Sequence, residues 1–471
     1  MLCCIYYTER NDSVRIPVMK NDFGKGKVWR VIMVQAIPLL FAQLVHLLYN
    51  VVDRIYIGHL PEIGSLALTG IGLAFPITTL VGAFTNLFAT GGAPLFAIAR
   101  GQEDEDKAER VLGQVAGMLG IMSVILLVIS LIWKRNILYL FGASDVTYPY
   151  ADNYLKVYIW GTTAAMLSTG LNGFINASGY PRVGMFTIFI GAAINLVLDP
   201  VFIYVMHMGV VGAALATVIS QVVSCIWAVS FFLKKSSPYH IRKEYMIPDF
   251  SLLKEIVPLG IAGFVMQGTN TLVNVLCNVT LRTFGGDIYV GVMTVINSVR
   301  EILSLPGGCI TQGAQPVLSF NYGARKYSRI RDGIRFISIA GLIYMTAAWV
   351  AVLVVPGTLM KIFTNDAEMI RVGTASLKIY FFAFAFMAGQ SAGQSTFTAL
   401  RCTKRAIFFS LFRKVIIVVP LTVLLPRIGF GVNGVYMAEA ISNLVGGTAC
   451  FLGMYFSVYR KLPADGEEPN I

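Results

Sequence analysis

Leu155-Lys156-Val157-Tyr158 returns 222 residues later as Leu377-Lys378-Ile379-Tyr380, and this echo decides the fold. At the same register Pro94 recurs as Pro316, Gly101 as Gly323 and Phe141 as Phe363. Gly209 and Gly212 answer to Gly431 and Gly434, and Ile219-Ser220 to Ile441-Ser442. Pro38-Leu39 answers to Pro258-Leu259, two residues out of register. Solenoids repeat every 20 to 50 residues or so. Here one large unit is written twice.

The chain is 56% hydrophobic and only 13% charged, so the repeat points to two membrane lobes facing each other across a pathway. Apolar runs of roughly 20 residues fill it, each long enough to cross about 30 Å of hydrocarbon as a helix. They lack the alternation of transmembrane β-strands. Forty-five glycines suit helices that pack closely in lipid. The expectation is an all-α polytopic membrane protein with about twelve spans: 29–58, 67–99, 111–133, 150–178, 185–206, 213–233, 252–284, 288–320, 333–356, 370–400, 406–426 and 434–458. Six spans per copy make the repeat parallel, about an axis along the membrane normal. The division is a polar tail over 1–28, a first lobe over 29–233, a linker over 234–251, a second lobe over 252–458 and a tail over 459–471. Residues 8–28 read as loose. Pro38, Pro76, Pro200, Pro258, Pro306 and Pro420 interrupt spans and are expected to bend them.

The net charge of +12 raises nucleic acid as a partner, and its distribution argues against one. The N-terminal tail and alternate loops hold 22 Lys and Arg, whereas the opposite loops hold only Lys134, Arg135, Arg282, Lys361 and Arg427. By the positive-inside rule both termini are expected in the cytoplasm of a multi-pass protein. The first residues lack a basic region followed by a long apolar core and do not read as a secretory signal. The seven cysteines have no paired or metal spacing, so neither disulfides nor a metal site is expected. Lys156 and Lys378 stand at span starts, where snorkelling is the expectation.

Charge within a span needs a reason. Asp53 closes the first span and Asp199 lies in the fifth, in Asn195-Leu-Val-Leu-Asp199-Pro200. Asn195 and Asp199, four apart, share a helix face. Asp53, Asp199 and Thr217 all fall in the outward half of their spans and can meet at one depth. Two carboxylates in a dry shared site cannot both ionise cheaply, which is what a proton-coupling site requires. The plainer readings stay open: Asp53 paired with Arg54 at a helix end, Asp199 solvating a broken turn, Asn195 and Thr217 as packing hydrogen bonds. The second copy answers Thr217 with Glu439 and Asp199 with Leu421. It carries Arg300, Glu301, Arg413, Lys414 and Glu439, a candidate polar cluster that either organises that lobe or contacts cargo.

Asn50-Val-Val-Asp53 with Gly58, Asn195-Leu-Val-Leu-Asp199-Pro200, and Gln315-Pro316 with Asn321-Tyr322-Gly323-Ala324 resemble the multidrug and toxic compound extrusion (MATE) family over residues 28 to 460 or so. The DinF-like and MepA-like bacterial branch is the nearest in pattern. The resemblance implies two six-helix lobes around a V-shaped cavity and cation-for-drug exchange by alternating access. It implies a cation site of Asp53, Asn195 and Asp199, with Thr217, Asn172 and Tyr49 at matching places and Pro38 where the first helix bends. NorM-like members use a seventh-helix glutamate and a tenth-helix aspartate. Here those spans offer Gln267, Asn270, Asn274, Gln390 and Gln394, which puts a second-lobe ion site of that kind in doubt.

The leading expectation is a secondary active exporter of amphipathic organic cations in a bacterial cytoplasmic membrane. It would act as a monomer, with H+ favoured over Na+ as coupling ion and no other cofactor. Ring faces attract flat cations, and methionines adapt to varied shapes. The rival is a lipid-linked precursor flippase, which needs interior Arg or Lys for a pyrophosphate. The first lobe has almost none, whereas Arg300, Arg413 and Lys414 supply some in the second. An enzyme is not expected, since no Walker, HExxH or GxSxG motif appears and His46, His59, His207 and His240 are scattered.

Overall fold

The computed structural model describes residues 21–58, 64–140 and 144–468. Phe141, Cys3, Cys4 and His59 lie outside them, as do the side chains of Asn50, Arg54 and Pro76. The first half contains α1 (Val28–Gly58), α2 (Gly64–Gly101), α3 (Glu105–Leu140), α4 (Tyr148–Tyr158), α5 (Thr162–Ala177), α6 (Pro181–Pro200) and α7 (Gly209–Leu233). The second contains α8 (Phe250–Gly285), α9 (Asp287–Gly323), α10 (Tyr327–Val354), α11 (Pro356–Phe363), α12 (Ala367–Tyr380), α13 (Met387–Ala399), α14 (Thr403–Leu411), α15 (Val419–Leu425) and α16 (Gly431–Ser457). Among the described residues there is no strand.

Among the described residues nine segments are long and apolar enough to cross a membrane, or ten when the bent pair Ala367–Phe381 and Phe384–Ala399 is one span. The expected twelve are therefore not reached by length and composition alone. The segment Thr403–Lys461 is 59 residues long and turns at Gly429 (φ 108°) and Gly431 (φ 52°), where α15 gives way to α16. The stretch from α4 to α5 is more polar and broken at Ile159–Gly161. Large apolar side chains such as Ile132, Ile343, Val354 and Phe382 are more than 60% exposed on the outer faces. In water that surface would cost about 25 cal/mol per Å². In hydrocarbon it is matched.

α1, α8 and α9 run through Pro38, Pro258 and Pro306 without interruption. Pro200 and Pro420 instead adjoin widened π turns, Val201–Val205 and Phe412–Val418. A proline has no amide to return to the preceding turn, and a wide turn redistributes the released carbonyls.

Glycine joins the halves. A Cβ on Gly101 of α2 would fall on the Phe320 carbonyl of α9, and one on Gly323 would fall on the Ile98 carbonyl of α2. These two contacts are the same contact made twice, because Ile98 and Phe320 are also 222 residues apart. The next pair is reciprocal as well, with Gly91 against Ile256 of α8 and Gly313 against Ala36 of α1. The repeat is therefore parallel, and α2 meets α9 across a pseudo-twofold axis. These contacts lie toward the end of the bundle that carries both ends of the chain and the linker, here the basic end.

The basic end is strapped twice. The Asn21 amide donates to Gly179 O at 2.8 Å, Phe23 is fully buried, and the Arg100 guanidinium lies 4.6 Å over Phe23 and 5.0 Å over Phe320. Arg329 donates to the carbonyls of Phe23, Lys25 and Gly26. Residues 21–28 are thus anchored rather than loose, because one aromatic and a run of free carbonyls outweigh polar composition. The linker lies along α3. Arg242 pairs with Glu109 at 2.6 Å, Tyr245 donates to Asp106 at 2.6 Å, and the Asp249 amide donates to Gln114 at 2.9 Å. At the other end Lys156 and Lys134 both pair with Asp152, at 2.7 and 2.6 Å. Lys156 and Lys378 are both exposed, as snorkelling requires, and Lys156 also pairs with the carboxylate one turn away.

The Gly323→Val substitution drives a side chain into backbone and should cost about 1–3 kcal/mol of stability. It should also part the lobes, lengthening the distance between spin labels at Gln102 and Lys404 measured by double electron–electron resonance. An unchanged distance and melting temperature would contradict the seam.

Candidate functional site

α6 ends at Pro200, and the π turn that follows carries Tyr204. The Tyr204 hydroxyl donates to Tyr56 O at 2.6 Å, with the two rings edge to face at 6.2 Å. Tyr56 is in the last turn of α1, where a helix carbonyl has no donor within the helix. The π turn thereby fixes the end of α1, and with it Asp53 one turn earlier.

Asn195 and Asp199 are each 1% exposed, and Asn195 Nδ2 donates to Asp199 Oδ1 at 3.2 Å. Asp199 Oδ2 has no donor of its own, and the Asp53 carboxyl is its hydrogen-bonding and Coulombic neighbour. Tyr49, one turn before Asp53, is within electrostatic reach of Asp53, Asp199 and Tyr158 and packs edge to face on His46 at 5.3 Å. Thr217 of α7 donates to Ala213 O at 3.0 Å and is within hydrogen-bonding reach of the Tyr154 hydroxyl. The structure thus brings together Tyr49, Asp53, Asn195, Asp199 and Thr217.

It adds two residues that sequence reasoning missed. Tyr154 and Tyr158 of α4 stack at 5.6 Å, with Gln221 within hydrogen-bonding reach of Tyr158. For Tyr158 the signal was present in the repeated Leu-Lys-Val/Ile-Tyr, whereas Tyr154 lies outside that repeat and answers to Ser376. Asn172 stands apart. A Cβ on Gly184 would fall 2.6 Å from Asn172 Oδ1, and Gly184 precedes Asn195 by eleven residues, about 16 Å along the helix. α5 meets α6 nearer the basic end, so Asn172 does not join the Asp53 group.

Oxygen predominates in this group: two carboxyls, an amide, hydroxyls. Two facing carboxyls repel when both are charged, and one proton between them, or a small hard cation, removes the repulsion. The group can hold such an ion and release it.

The second lobe assembles the expected polar cluster, with Lys414 in it. Arg413 Nη1 donates to Glu439 Oε1 at 3.2 Å and to Asn443 Oδ1 at 3.0 Å. Lys414 Nζ donates to the two oxygens of Glu439 at 3.0 and 3.3 Å. Arg300 of α9 is the third cation around Glu439. Glu301 is exposed beside it and is the electrostatic neighbour of His46 on α1. Of the residues where a second-lobe acid would stand, Gln390 is buried and Gln394 donates to Ala406 O at 3.0 Å.

The MatE family model matches this chain twice, over residues 38–201 and 262–424. The multidrug export protein MepA of Staphylococcus haemolyticus is 25% identical over 456 residues, 94% of this chain and 96% of that protein. The chain superimposes with a TM-score of 0.86 on the outward-facing conformation of a multidrug resistance MATE family transporter of the MOP superfamily, at 22% identity over 93% of this chain and 97% of that one. A MATE protein in its bent conformation gives the same TM-score at 21% identity, over 93% and 97%.

Tyr204→Phe removes the donor that caps Tyr56 O and should lower stability by about 1 kcal/mol. Thermal unfolding of the purified protein reads this as a lowered midpoint. A midpoint equal to that of the parent would mean that the π turn does not hold α1.

Proposed function

The chain belongs to the MatE family of membrane transporters, and from that premise we propose that it exports amphipathic organic cations in exchange for an inward-moving ion. It is a multi-pass membrane protein and not an enzyme. The observation that carries the reading is the pair of facing carboxyls, Asp53 and Asp199, at a depth where charge is costly. A proton or Na+ entering from outside neutralises the pair, and H+ is favoured because Asp199 Oδ2 faces the Asp53 carboxyl with no donor of its own, so that one shared proton supplies it. Cargo and ion then compete for one state of the first lobe, which is the thermodynamic condition for exchange. Asp53 is the coupling residue. Asn195, Asp199 and Thr217 hold the ion with it, and Tyr49, Tyr154 and Tyr158 border the site.

The basic end is cytoplasmic in this reading, because Lys and Arg are retained there. The glycine seam then closes the cytoplasmic side, and the opposite side is open between the lobes. Pro38 supplies the weak point at which α1 bends and moves Asp53. The protein acts as a monomer in a bacterial cytoplasmic membrane, since each lobe pair encloses its own pathway.

The test is efflux from vesicles containing the purified protein, driven by an imposed pH gradient or an imposed Na+ gradient. Asp53→Asn keeps shape and hydrogen bonding but removes titration, and should reduce gradient-driven efflux at least about a hundredfold while the melting temperature holds. Thr217→Ala should cost only several-fold, since a hydroxyl contributes roughly 1 kcal/mol. Parental efflux by a well-folded Asp53→Asn protein would sink the assignment. Efflux that follows Na+ and ignores pH would replace H+ by Na+.

A further inference from the structure

The second-lobe cluster carries more positive charge than it can use. Arg300, Arg413 and Lys414 surround one buried carboxylate, Glu439. Lys414 is 3% exposed and Arg413 9%, in the middle of a membrane-spanning lobe. Buried charge without a counter-charge is expensive. Glu301, exposed on the face of α9 toward His46, reaches Arg300 electrostatically but only from outside the buried group. Arg300 Nε, moreover, is buried with no acceptor. Three cations therefore share one buried carboxylate, and one donor is unused.

The cluster is also built for its place. Arg413 and Lys414 open the π turn Phe412–Val418, and the Arg413 carbonyl freed there is satisfied by Ser442 Oγ at 3.1 Å. A Cβ on Gly446 would fall 2.8 Å from Arg413 Cγ, so Gly446 makes the space for the arginine stem. At the 222-residue register the first lobe has Gly191 for Arg413 and Ser224 for Gly446, and these too pack together. Large and small have changed sides. In the same register Thr78 stands for Arg300, Ala192 for Lys414 and Thr217 for Glu439. The acids of the first lobe do not map onto these cations: Asp53 answers to Val275 and Asp199 to Leu421, so each lobe carries its charge at positions the other leaves uncharged.

We propose that the cluster of Arg300, Arg413 and Lys414 around Glu439 is an anion subsite, which takes the carboxylate or phosphate of an amphipathic molecule. Arg300 receives that group through its free Nε–H, and Arg413 and Lys414 supply the field from below. Entry is past Glu301, on the face between the lobes. A zwitterionic cargo can then be held by both lobes at once. The proposal rests on the transporter reading for its biological use, but the binding it asserts is measured without transport.

Protein in zwitterionic-lipid nanodiscs is titrated with naphthoate, its neutral methyl ester and naphthylmethylammonium by calorimetry. Naphthoate should bind at least about tenfold tighter than the ester. Arg300→Gln leaves both ion pairs of Glu439 in place and should erase that margin, while binding of the ammonium probe tightens. Arg300→Lys should restore most of it. If Arg300→Gln does not fold, Glu301→Gln serves instead and should strengthen naphthoate binding several-fold by removing an opposing charge. Adding phosphatidylglycerol separates the sources: competition with naphthoate assigns the site to a lipid headgroup, and its absence to a soluble acid. Equal binding of acid and ester by the parent overturns the proposal, as does acid binding that survives Arg300→Gln. Equal loss of all three probes means a structural role and overturns it too. Cation efflux that fails in every gradient while naphthoate still binds sinks the exporter reading alone. Efflux that succeeds without acid preference sinks the anion subsite alone.

Discussion

Backbone touches backbone where α2 crosses α9, and the rest of the molecule is arranged around that closeness. At Gly101 and Gly323 no side chain separates the helices, so the lobes are held together at one end by contacts that tolerate no insertion. Lipid gives little hydrophobic drive for helices to associate, and van der Waals contact between closely approaching backbones takes its place. Further along the same interface Gly260 meets Leu87 O and Phe84 packs on Phe264, so close contact between α2 and α8 continues past the seam. The mid-membrane polar groups are buried within their own lobes, Asp199 at 1% and Lys414 at 3% exposure, with protein and not hydrocarbon around them.

Much of this was legible in the chain, for identifiable reasons. The repeat showed which glycines would answer one another, and the reciprocal contacts of Gly101 and Gly323 follow from it. Asp199-Pro200 marked a broken turn beside a buried acid. Opposite charges at Arg413, Lys414 and Glu439 made a cluster an expectation, while the choice of Glu439 over Glu301 as the shared carboxylate was set by how α16 packs on the π turn. What was not legible depended on how helices cross. Asn172 has the right residue type and the wrong height, because the crossing point of α5 on α6 is set by packing at Gly184. Tyr154 and Tyr158 approach Asp53 only through the position of α4. Residues 21–27 look like tail until Phe23 and Asn21 find partners far along the chain.

The two lobes show how one scaffold takes opposite charge. Exchange of a small residue from one helix to its neighbour, Gly191 and Ser224 in one lobe against Arg413 and Gly446 in the other, changes what fits without moving the helices. In a medium of low dielectric each buried charge needs an opposite partner: the second lobe sets Glu439 among its cations, whereas the facing carboxyls of the first repel unless a proton or cation lies between them. The charged positions differ between the lobes as well as their sign, with Val275 and Leu421 answering Asp53 and Asp199, and Gly191 and Ala192 answering Arg413 and Lys414.

The linker has a mechanical consequence. From His240 to Asp249 it is stitched to α3, with Glu109, Asp106 and Gln114 each holding a point. Only at Phe250 does the chain leave the first lobe, so the covalent tether between the lobes is one peptide long in effect. The strap from Asn21 to Lys27 spans the same end, tied to Gly179 of one lobe and Arg329 of the other. A chain nicked near Ser236 would therefore remain a single particle, its second half held by the seam and the strap, and its severed linker still lying on α3. Continuity of the polypeptide is a convenience of assembly here, and the fold behaves as a dimer that happens to have been sewn together.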